Sequence, residues 1–222
     1  MAGPPYNPLD KRNLAESVAT ALLKKPIGPL PPIETFEGAG IYAIYYGGGF
    51  RTYRSMVVKN TGENPSLPIY IGKAVPPGSR KGGFALGSTP GAALYKRLRE
   101  HAQSIDEADN LRLSDFRCRF LVSEDIWIPL GESLLIEQFR PVWNVLIEGF
   151  GIHQPGKRRP QRTSKWDTLH PGRKLASGLP ENPLTPEHLT KMVEDFLAGK
   201  PVKTLSAAEA MKEEETEADL ED

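Results

Sequence analysis

Short runs of β-branched and aromatic residues, each closed by glycine or proline, constrain the fold of this 222-residue chain more than any other feature. Such runs are typical of β-strands, and glycine and proline are typical of the turns that end them. The sequence predicts strands at residues 40–46, 53–59, 68–72 and 116–122, and a further extended segment at 143–145. Three glycines at residues 47–49 fit a turn that would join the first two strands into a hairpin.

Helical patterns lie between and around these strands. Leu14, Val18 and Leu22 recur at every fourth position, which predicts a helix over residues 8–24. Similar patterns predict helices at residues 92–104, 129–139 and 185–198. The last of these opens with Thr185 and Pro186, a capping residue followed by a proline at the first helical position.

Charge is distributed unevenly along the chain, although the formal net charge is zero. Residues 201–222 carry two lysines against eight acidic residues, so this segment has a net charge of −6 and residues 1–200 one of +6. Residues 157–174 alone carry +6. A basic body with an acidic tail indicates a polyanionic partner.

Composition excludes two classes of protein. The longest apolar run falls far short of the roughly 20 residues that a membrane-spanning helix needs. Cys118 is the only cysteine, so an internal disulfide and a zinc site built on several cysteines are both excluded. The N-terminal residues show no basic stretch followed by an apolar one, and we therefore expect a cytoplasmic protein.

Residues that could carry chemistry occur in a definite order. Two tyrosines lie in predicted strands, within Gly40-Ile-Tyr42 and Tyr70-Ile-Gly72, and Lys73 follows directly. Arg97 and His101 are four residues apart and therefore share one face of a predicted helix. Glu132 lies near the start of the next helix, and the segment Pro141-Val-Trp-Asn144 follows. Each piece alone is more often structural than catalytic.

In this order the pieces resemble the GIY-YIG nuclease superfamily over residues 38–146. A closer resemblance, over residues 38–175, is to the GIY-YIG Type II restriction endonucleases that cut CCGCGG; it is carried by residues 70–78, 94–101, 126–132 and 166–173. The resemblance implies an α+β fold with a small, mainly antiparallel sheet flanked by helices. It also implies a divalent metal, cleavage of double-stranded DNA by a homodimer, and a cognate DNA methyltransferase in the same system.

The resemblance and the residue types together suggest the catalytic roles. Glu132 is the only acidic residue of the set and suits one Mg²⁺ ion rather than a two-metal clamp. Arg97 suits a phosphate oxygen because it is always charged. Tyr42 would deprotonate the attacking water or relay its proton. Tyr70 would hydrogen-bond the phosphate or the water, and Asn144 would orient or support the site.

The role of Tyr42 leaves a choice open. A tyrosine has a pKa near 10, so holding it as phenolate at pH 7 would cost about 4 kcal/mol. Cations nearby could offset part of that cost, and Lys73 and His101 are the candidates. A neutral His101 could instead accept the proton of the tyrosine.

DNA recognition is expected from two insertions, the Gly/Pro-rich loop at residues 75–90 and the basic segment at 150–175. Arginine and lysine read guanine in the major groove, although most basic residues contact phosphates. A palindromic target would match a two-fold dimer. The candidate DNA-contacting residues are Arg80, Lys81, Lys157, Arg158, Arg159, Arg162, Lys165, His170 and Arg173.

The sequence predicts four parts: an N-terminal helix and proline-rich arm (1–37), a nuclease core (38–147), a basic DNA-contacting extension with a short helix (148–200) and an acidic, disordered tail (201–222). Three alternatives compete with a restriction enzyme. A repair or intron-associated nuclease with this core would usually carry a separate DNA-binding domain. A non-catalytic nucleic-acid-binding module would have no need of Glu132, and an adaptor protein would not need the catalytic set.

Overall fold

A computed structural model describes residues 7–75, 91–152 and 162–212, and its centre is an antiparallel sheet of four strands. The strands are β1 (Gly28–Pro29), β2 (Gly40–Tyr46), β3 (Tyr70–Ala74) and β4 (Phe116–Val122), in the spatial order β1-β4-β2-β3. Strand β2 lies between β3 and β4, and all seven of its residues are buried, so both faces of the sheet are covered along this strand. The sheet and its helices confirm the predicted α+β class.

The register of the sheet brings the two tyrosine motifs side by side. Tyr42 pairs with Gly72, and Ile44 pairs with Tyr70. Side chains alternate between the two faces of a sheet, so Tyr42 and Tyr70 lie on one face while Ile41 and Lys73 lie on the other. Residues from two distant parts of the sequence thus form one patch.

Seven helices surround the sheet in the described part of the chain. They are α1 (Lys11–Leu23), α2 (Arg54–Asn60), α3 (Ala93–Asp106), α4 (Ile128–Phe139), α5 (Val142–Val145), α6 (Lys165–Leu169) and α7 (Pro186–Leu197). Helix α1 packs against α4, and Val18 of α1 lies beside Gly131 of α4. The Thr185 side chain caps α7 by accepting a hydrogen bond from the His188 amide. No helix among these residues is both apolar and long enough to cross a lipid bilayer.

Two segments predicted to be extended are helical. Residues 53–59, predicted as a strand, lie in a 3-10 turn (Arg51–Tyr53) followed by α2. Tyr53, Met56 and Asn60 are buried whereas Val58 is exposed, so the helical spacing of the buried residues prevailed over β-propensity. Residues 143–145 lie in α5, a single turn that Pro141 opens by accepting a hydrogen bond from the Val145 amide.

The first part of the acidic tail is packed against the core. The Leu205 amide donates to the Val145 carbonyl at 2.8 Å, residues 207–212 are helical, and Ala210 is buried. Ser206 and Glu209 form a capping box, in which each side chain accepts a hydrogen bond from the other residue's amide. The prediction of a disordered tail is therefore wrong for residues 201–212, and residues 213–222 lie outside the described residues.

Candidate active site

Tyr42 lies at the centre of the candidate site and contacts His101. Strand β2 carries Tyr42, and α3 packs over the same sheet face, which places Tyr42 Oη 2.5 Å from His101 Nε2. The ring of Tyr70 lies 5.1 Å from the imidazole and 6.2 Å from the Tyr42 ring. Both Tyr42 and His101 are fully buried. A neutral imidazole can accept the phenolic proton of Tyr42 directly in this geometry.

Gly72 makes room for both tyrosines. A Cβ atom at Gly72 would come 2.7 Å from Cζ of Tyr42 and 2.9 Å from Cε1 of Tyr70, closer than real Cβ contacts occur. Any larger residue would therefore push the two rings apart. This gives a physical reason for glycine at the end of the Tyr-Ile-Gly motif.

Phe150 packs against the imidazole and was not among the residues that the sequence predicted for the site. Its ring stacks on His101 with centroids 4.5 Å apart and planes 15° apart, and it meets the edge of Tyr70 at 4.9 Å. Phe150 is fully buried. Its position directly after Asn144-Val-Leu-Ile-Glu-Gly was the only signal in the sequence, and that signal indicated packing rather than a role at a site.

Arg97 lies one turn before His101 on α3 and is held by a backbone carbonyl. Its Nη2 donates to the Gly151 carbonyl at 2.9 Å, and its Nη1 lies 3.4 Å from Glu100 Oε2. Only 7% of Arg97 is exposed. The guanidinium is thus a fixed positive charge beside the Tyr42–His101 pair, because one helix face carries both Arg97 and His101.

Glu132 is fully buried and binds Lys73. Lys73 Nζ donates to Glu132 Oε2 at 2.8 Å, and the lysine side chain is 12% exposed. The ammonium places a positive charge beside the buried carboxylate, which offsets part of the cost of burying it. The chain therefore places Lys73 against Glu132, and places His101 against Tyr42.

Asn144 fixes the backbone of β3 at Ile71, the residue between Tyr70 and Gly72. Its Oδ1 accepts from the Ile71 amide at 2.9 Å and its Nδ2 donates to the Ile71 carbonyl at 2.7 Å. The side chain thus replaces a neighbouring strand at the edge of the sheet. This geometry fits the supporting role that the resemblance implied for it.

The residues present suit one divalent ion better than two. In the part of the chain that the structure describes, no group of three or more His, Cys, Asp and Glu side chains could hold a metal. Glu132 is a hard oxygen donor, and Mg²⁺ is commonly bound by one or two carboxylates while water and substrate phosphate complete its shell. The donor set therefore fits a divalent ion held through Glu132, with the Lys73 ammonium beside the carboxylate.

Two residues predicted to contact DNA are buried, which corrects that expectation. His170 is fully buried, and Arg173 is 4% exposed. His170 Nε2 accepts from Tyr53 Oη at 2.7 Å, and Nδ1 donates to Asn110 Oδ1 at 2.8 Å. Burial lowers the pKa of His170 to about 3, so the ring is neutral and bonded at both nitrogens.

The other predicted DNA contacts have different outcomes. Arg162 is exposed and so is available to a ligand. Lys165 begins α6 and pairs with Glu148 at 2.7 Å. Arg80, Lys81, Lys157, Arg158 and Arg159 lie outside the described residues.

Two adjacent antiparallel strands that each present a tyrosine, a helix with arginine and histidine, and one buried glutamate define a GIY-YIG nuclease. A family model described as the Eco29kI GIY-YIG domain matches residues 34–197. The chain belongs to this family of restriction-endonuclease GIY-YIG domains. The search of curated proteins found no match. Members of the GIY-YIG class generally use divalent metal ions.

Proposed function

We propose that this protein is a Type II restriction endonuclease that makes Mg²⁺-dependent double-strand cuts at a short palindromic site, with CCGCGG as the candidate sequence. The observation that carries the proposal is the extent of the family match. It runs from residue 34 to residue 197 and so includes the extension after the core as well as the catalytic elements. A homodimer would give each strand of the palindrome its own active site.

In the proposed reaction, a water molecule attacks the phosphorus as its proton passes to Tyr42 Oη and the phenolic proton of Tyr42 passes to His101 Nε2. The 2.5 Å contact between the two side chains supports this route over a phenolate that Lys73 would stabilise. Arg97 neutralises charge that builds on the phosphate. The bond from phosphorus to the leaving sugar oxygen breaks, and that oxygen takes a proton from solvent. Glu132 would hold one Mg²⁺, which supplies Lewis-acid polarisation of the phosphate.

Cleavage of defined plasmids tests the specificity. The purified protein is incubated with Mg²⁺ and a plasmid that carries one CCGCGG site, and the ends are sequenced. We expect one linear product cut at that site, and none with EDTA or with a plasmid in which one base pair of the site is changed. Cleavage at many unrelated positions, or only at branched or damaged DNA, would favour a repair or intron-associated nuclease.

The Glu132→Gln variant distinguishes an enzyme from a non-catalytic binding module. We expect cleavage to fall below detection while DNA binding is retained, because the amide cannot replace the carboxylate as a metal ligand. Glu137→Gln is the matched control, since Glu137 lies on the same helix and is exposed. Cleavage by Glu132→Gln at the wild-type rate would contradict the metal-binding role.

A further inference from the structure

Arg173 lies outside the catalytic set, yet every N–H of its guanidinium has an acceptor. Nε and Nη2 bind the two carboxylate oxygens of Asp167 at 2.7 and 2.8 Å. Nη2 also donates to the Gly149 carbonyl at 2.8 Å, and Nη1 donates to the carbonyls of Ile152 at 2.7 Å and Phe150 at 3.3 Å. Five donors thus meet five acceptors, which is the full capacity of an arginine.

Asp167 is itself fixed at the start of α6. Its Oδ2 accepts from Ser164 Oγ at 2.6 Å, and its amide donates to the same hydroxyl oxygen at 3.0 Å. Asp167 and Arg173 are both buried. A buried ion pair is weak evidence of a net gain in stability, because apolar residues of similar volume often serve as well or better.

The three carbonyls that Arg173 binds belong to a loop that touches the active site. Gly149, Phe150 and Ile152 accept from Arg173, whereas the Gly151 carbonyl between them accepts from Arg97 Nη2 at 2.9 Å. One short backbone segment is therefore held between two guanidinium groups. Any shift of the segment would move the acceptor that orients Arg97.

The same loop also fixes the proton acceptor of the site. Phe150 stacks on the His101 ring at 4.5 Å, and its own carbonyl accepts from Arg173. Through this residue the position of Arg173 bears on the imidazole that contacts Tyr42. The extension after the core is thus coupled to Arg97 and His101, the two candidate catalytic side chains of α3.

We propose that the buried Asp167–Arg173 pair positions the catalytic Arg97 and His101 through residues 149–152. Arg173 is a positioning residue, since it is buried and binds Asp167 and the carbonyls of residues 149, 150 and 152. This inference rests on the catalytic roles assigned above to Arg97 and His101. Its consequence is that substitutions at Arg173 lower the rate of the chemical step without weakening DNA binding.

A double-mutant cycle tests the proposal. Arg173→Lys keeps the charge but cannot make five directed hydrogen bonds. In single-turnover cleavage with saturating protein, we expect Arg173→Lys to lower the rate by at least about 10-fold, because small misplacement of a catalytic group is costly. DNA affinity should change by less than about 2-fold. Combined with Arg97→Lys, the Arg173 substitution should lower the rate by less than it does alone, because Arg97 is already impaired and only the route through His101 remains.

Arg119 provides the matched control. It is also buried, and it donates to the hydroxyl of Tyr45 at 2.9 Å and to backbone carbonyls of Lys25 and Pro65. None of these acceptors belongs to the catalytic set. Arg119→Lys should lower the melting temperature, leave the rate per folded molecule unchanged, and show no coupling to Arg97.

Two further measurements keep the proposal falsifiable if Arg173→Lys folds poorly. Asp167→Asn keeps the shape of the pair, and it should show the same coupling to Arg97. The ¹⁵N-labelled guanidinium of Arg97 should lose restricted rotation in either variant, as observed by NMR without DNA. Equal rate losses in both Arg97 backgrounds, an unchanged rate, or a requirement of both residues for folding alone would overturn the proposal. An unchanged rate in Arg97→Lys itself would instead refute the role proposed for Arg97, and the positioning inference with it.

Discussion

The route by which Tyr42 loses its proton depends on which basic side chain lies beside its hydroxyl. Its position in the Gly-Ile-Tyr motif was evident from the sequence, but two routes for its proton stayed open. The structure places Lys73 against Glu132 and the His101 ring against Tyr42, so a neutral histidine that accepts the proton is the route the contacts favour. Which of two basic residues faces a tyrosine depends on sheet register and helix packing, and neither can be deduced from spacing.

Removing the Tyr42 hydroxyl should slow cleavage sharply. Tyr42→Phe keeps the ring that packs against Tyr70 and deletes only the oxygen that contacts His101. We expect the single-turnover rate to fall by about 10²-fold or more, the scale of a general base. Tyr95→Phe is the control on α3, where no shift in rate is expected. A folded Tyr42→Phe variant that cleaves at the normal rate would exclude Tyr42 from proton transfer.

His170 should make the fold sensitive to acid. Its pKa is about 3 in the folded protein and about 6.5 when exposed, so below pH 6.5 the unfolded chain binds a proton that the folded one does not. Stability is therefore lost as pH falls from about 6.5 toward 3, by about 2 kcal/mol between pH 7 and pH 5.

Denaturant unfolding at pH 7 and pH 5 measures this effect. His170→Gln should flatten the pH dependence, although it lowers stability at pH 7 because it disturbs the bonds to Tyr53 and Asn110. His188→Gln should leave the pH dependence as it is, since His188 is exposed on α7. A pH dependence that is the same in His170→Gln and wild type would contradict the assignment.

At the scale of elements, the two longest strands could be predicted and the connections between the strands could not. Residues 40–46 are mostly β-branched and aromatic, and residues 116–122 alternate between apolar and charged before becoming apolar. The structure confirms both strands. The sequence predicts a strand where the structure has α2, because the local residues favour β-structure. The helix is instead stabilised by the burial of one face against residues distant in the sequence. Asn60, at its end, bonds the carbonyls of Tyr46 and Leu67, which ties the end of β2 and the segment before β3 to α2.

The capping box at Ser206 should stabilise the C-terminal segment. Ser206→Ala removes the side chain that accepts from the Glu209 amide, and such caps are typically worth about 1 kcal/mol. We expect a lower free energy of unfolding and an unchanged cleavage rate. Ser55→Ala is the control, because Ser55 lies exposed within α2, where alanine favours the helix. Equal stability of Ser206→Ala and wild type would indicate that the segment contributes nothing to the fold.

For the whole molecule, the family match and the buried contacts point to one unit rather than a core with an independent DNA-binding part. Trp143 of the core meets Trp166 of the extension edge to face at 5.6 Å, and His170 bonds Tyr53 beside the first motif strand. His170 and Arg173 were therefore mistaken for DNA contacts, since a basic stretch in a sequence does not show which of its members turn inward. The exposed Arg162 and its neighbours at 157–159 remain proposed contacts, as do Arg80, Lys81 and Lys165.

Neutralising that basic stretch should weaken DNA binding and reduce its dependence on salt. Removing one ion pair between the protein and a DNA phosphate makes the slope of log K against log salt shallower by about 0.9. A variant with glutamine at Lys157, Arg158, Arg159 and Arg162 should therefore bind DNA more weakly than wild type, with the larger difference at low salt. If all four residues contact phosphates, its slope should become shallower by about 0.9 for each of them. Fluorescence anisotropy with a labelled duplex over a range of salt concentrations measures both quantities.

The control for this experiment removes the same charge elsewhere. Glutamine is placed at four exposed lysines away from the basic stretch, namely Lys24, Lys59, Lys191 and Lys200. Both variants have the same net charge, so a general electrostatic attraction would alter them alike. We expect the slope of the control to stay near that of wild type, because the slope reflects the number of phosphates that the protein neutralises and not its overall charge. Equal slopes in the two variants would show that residues 157–162 do not contact the phosphates, and that the basic stretch is a solvated loop.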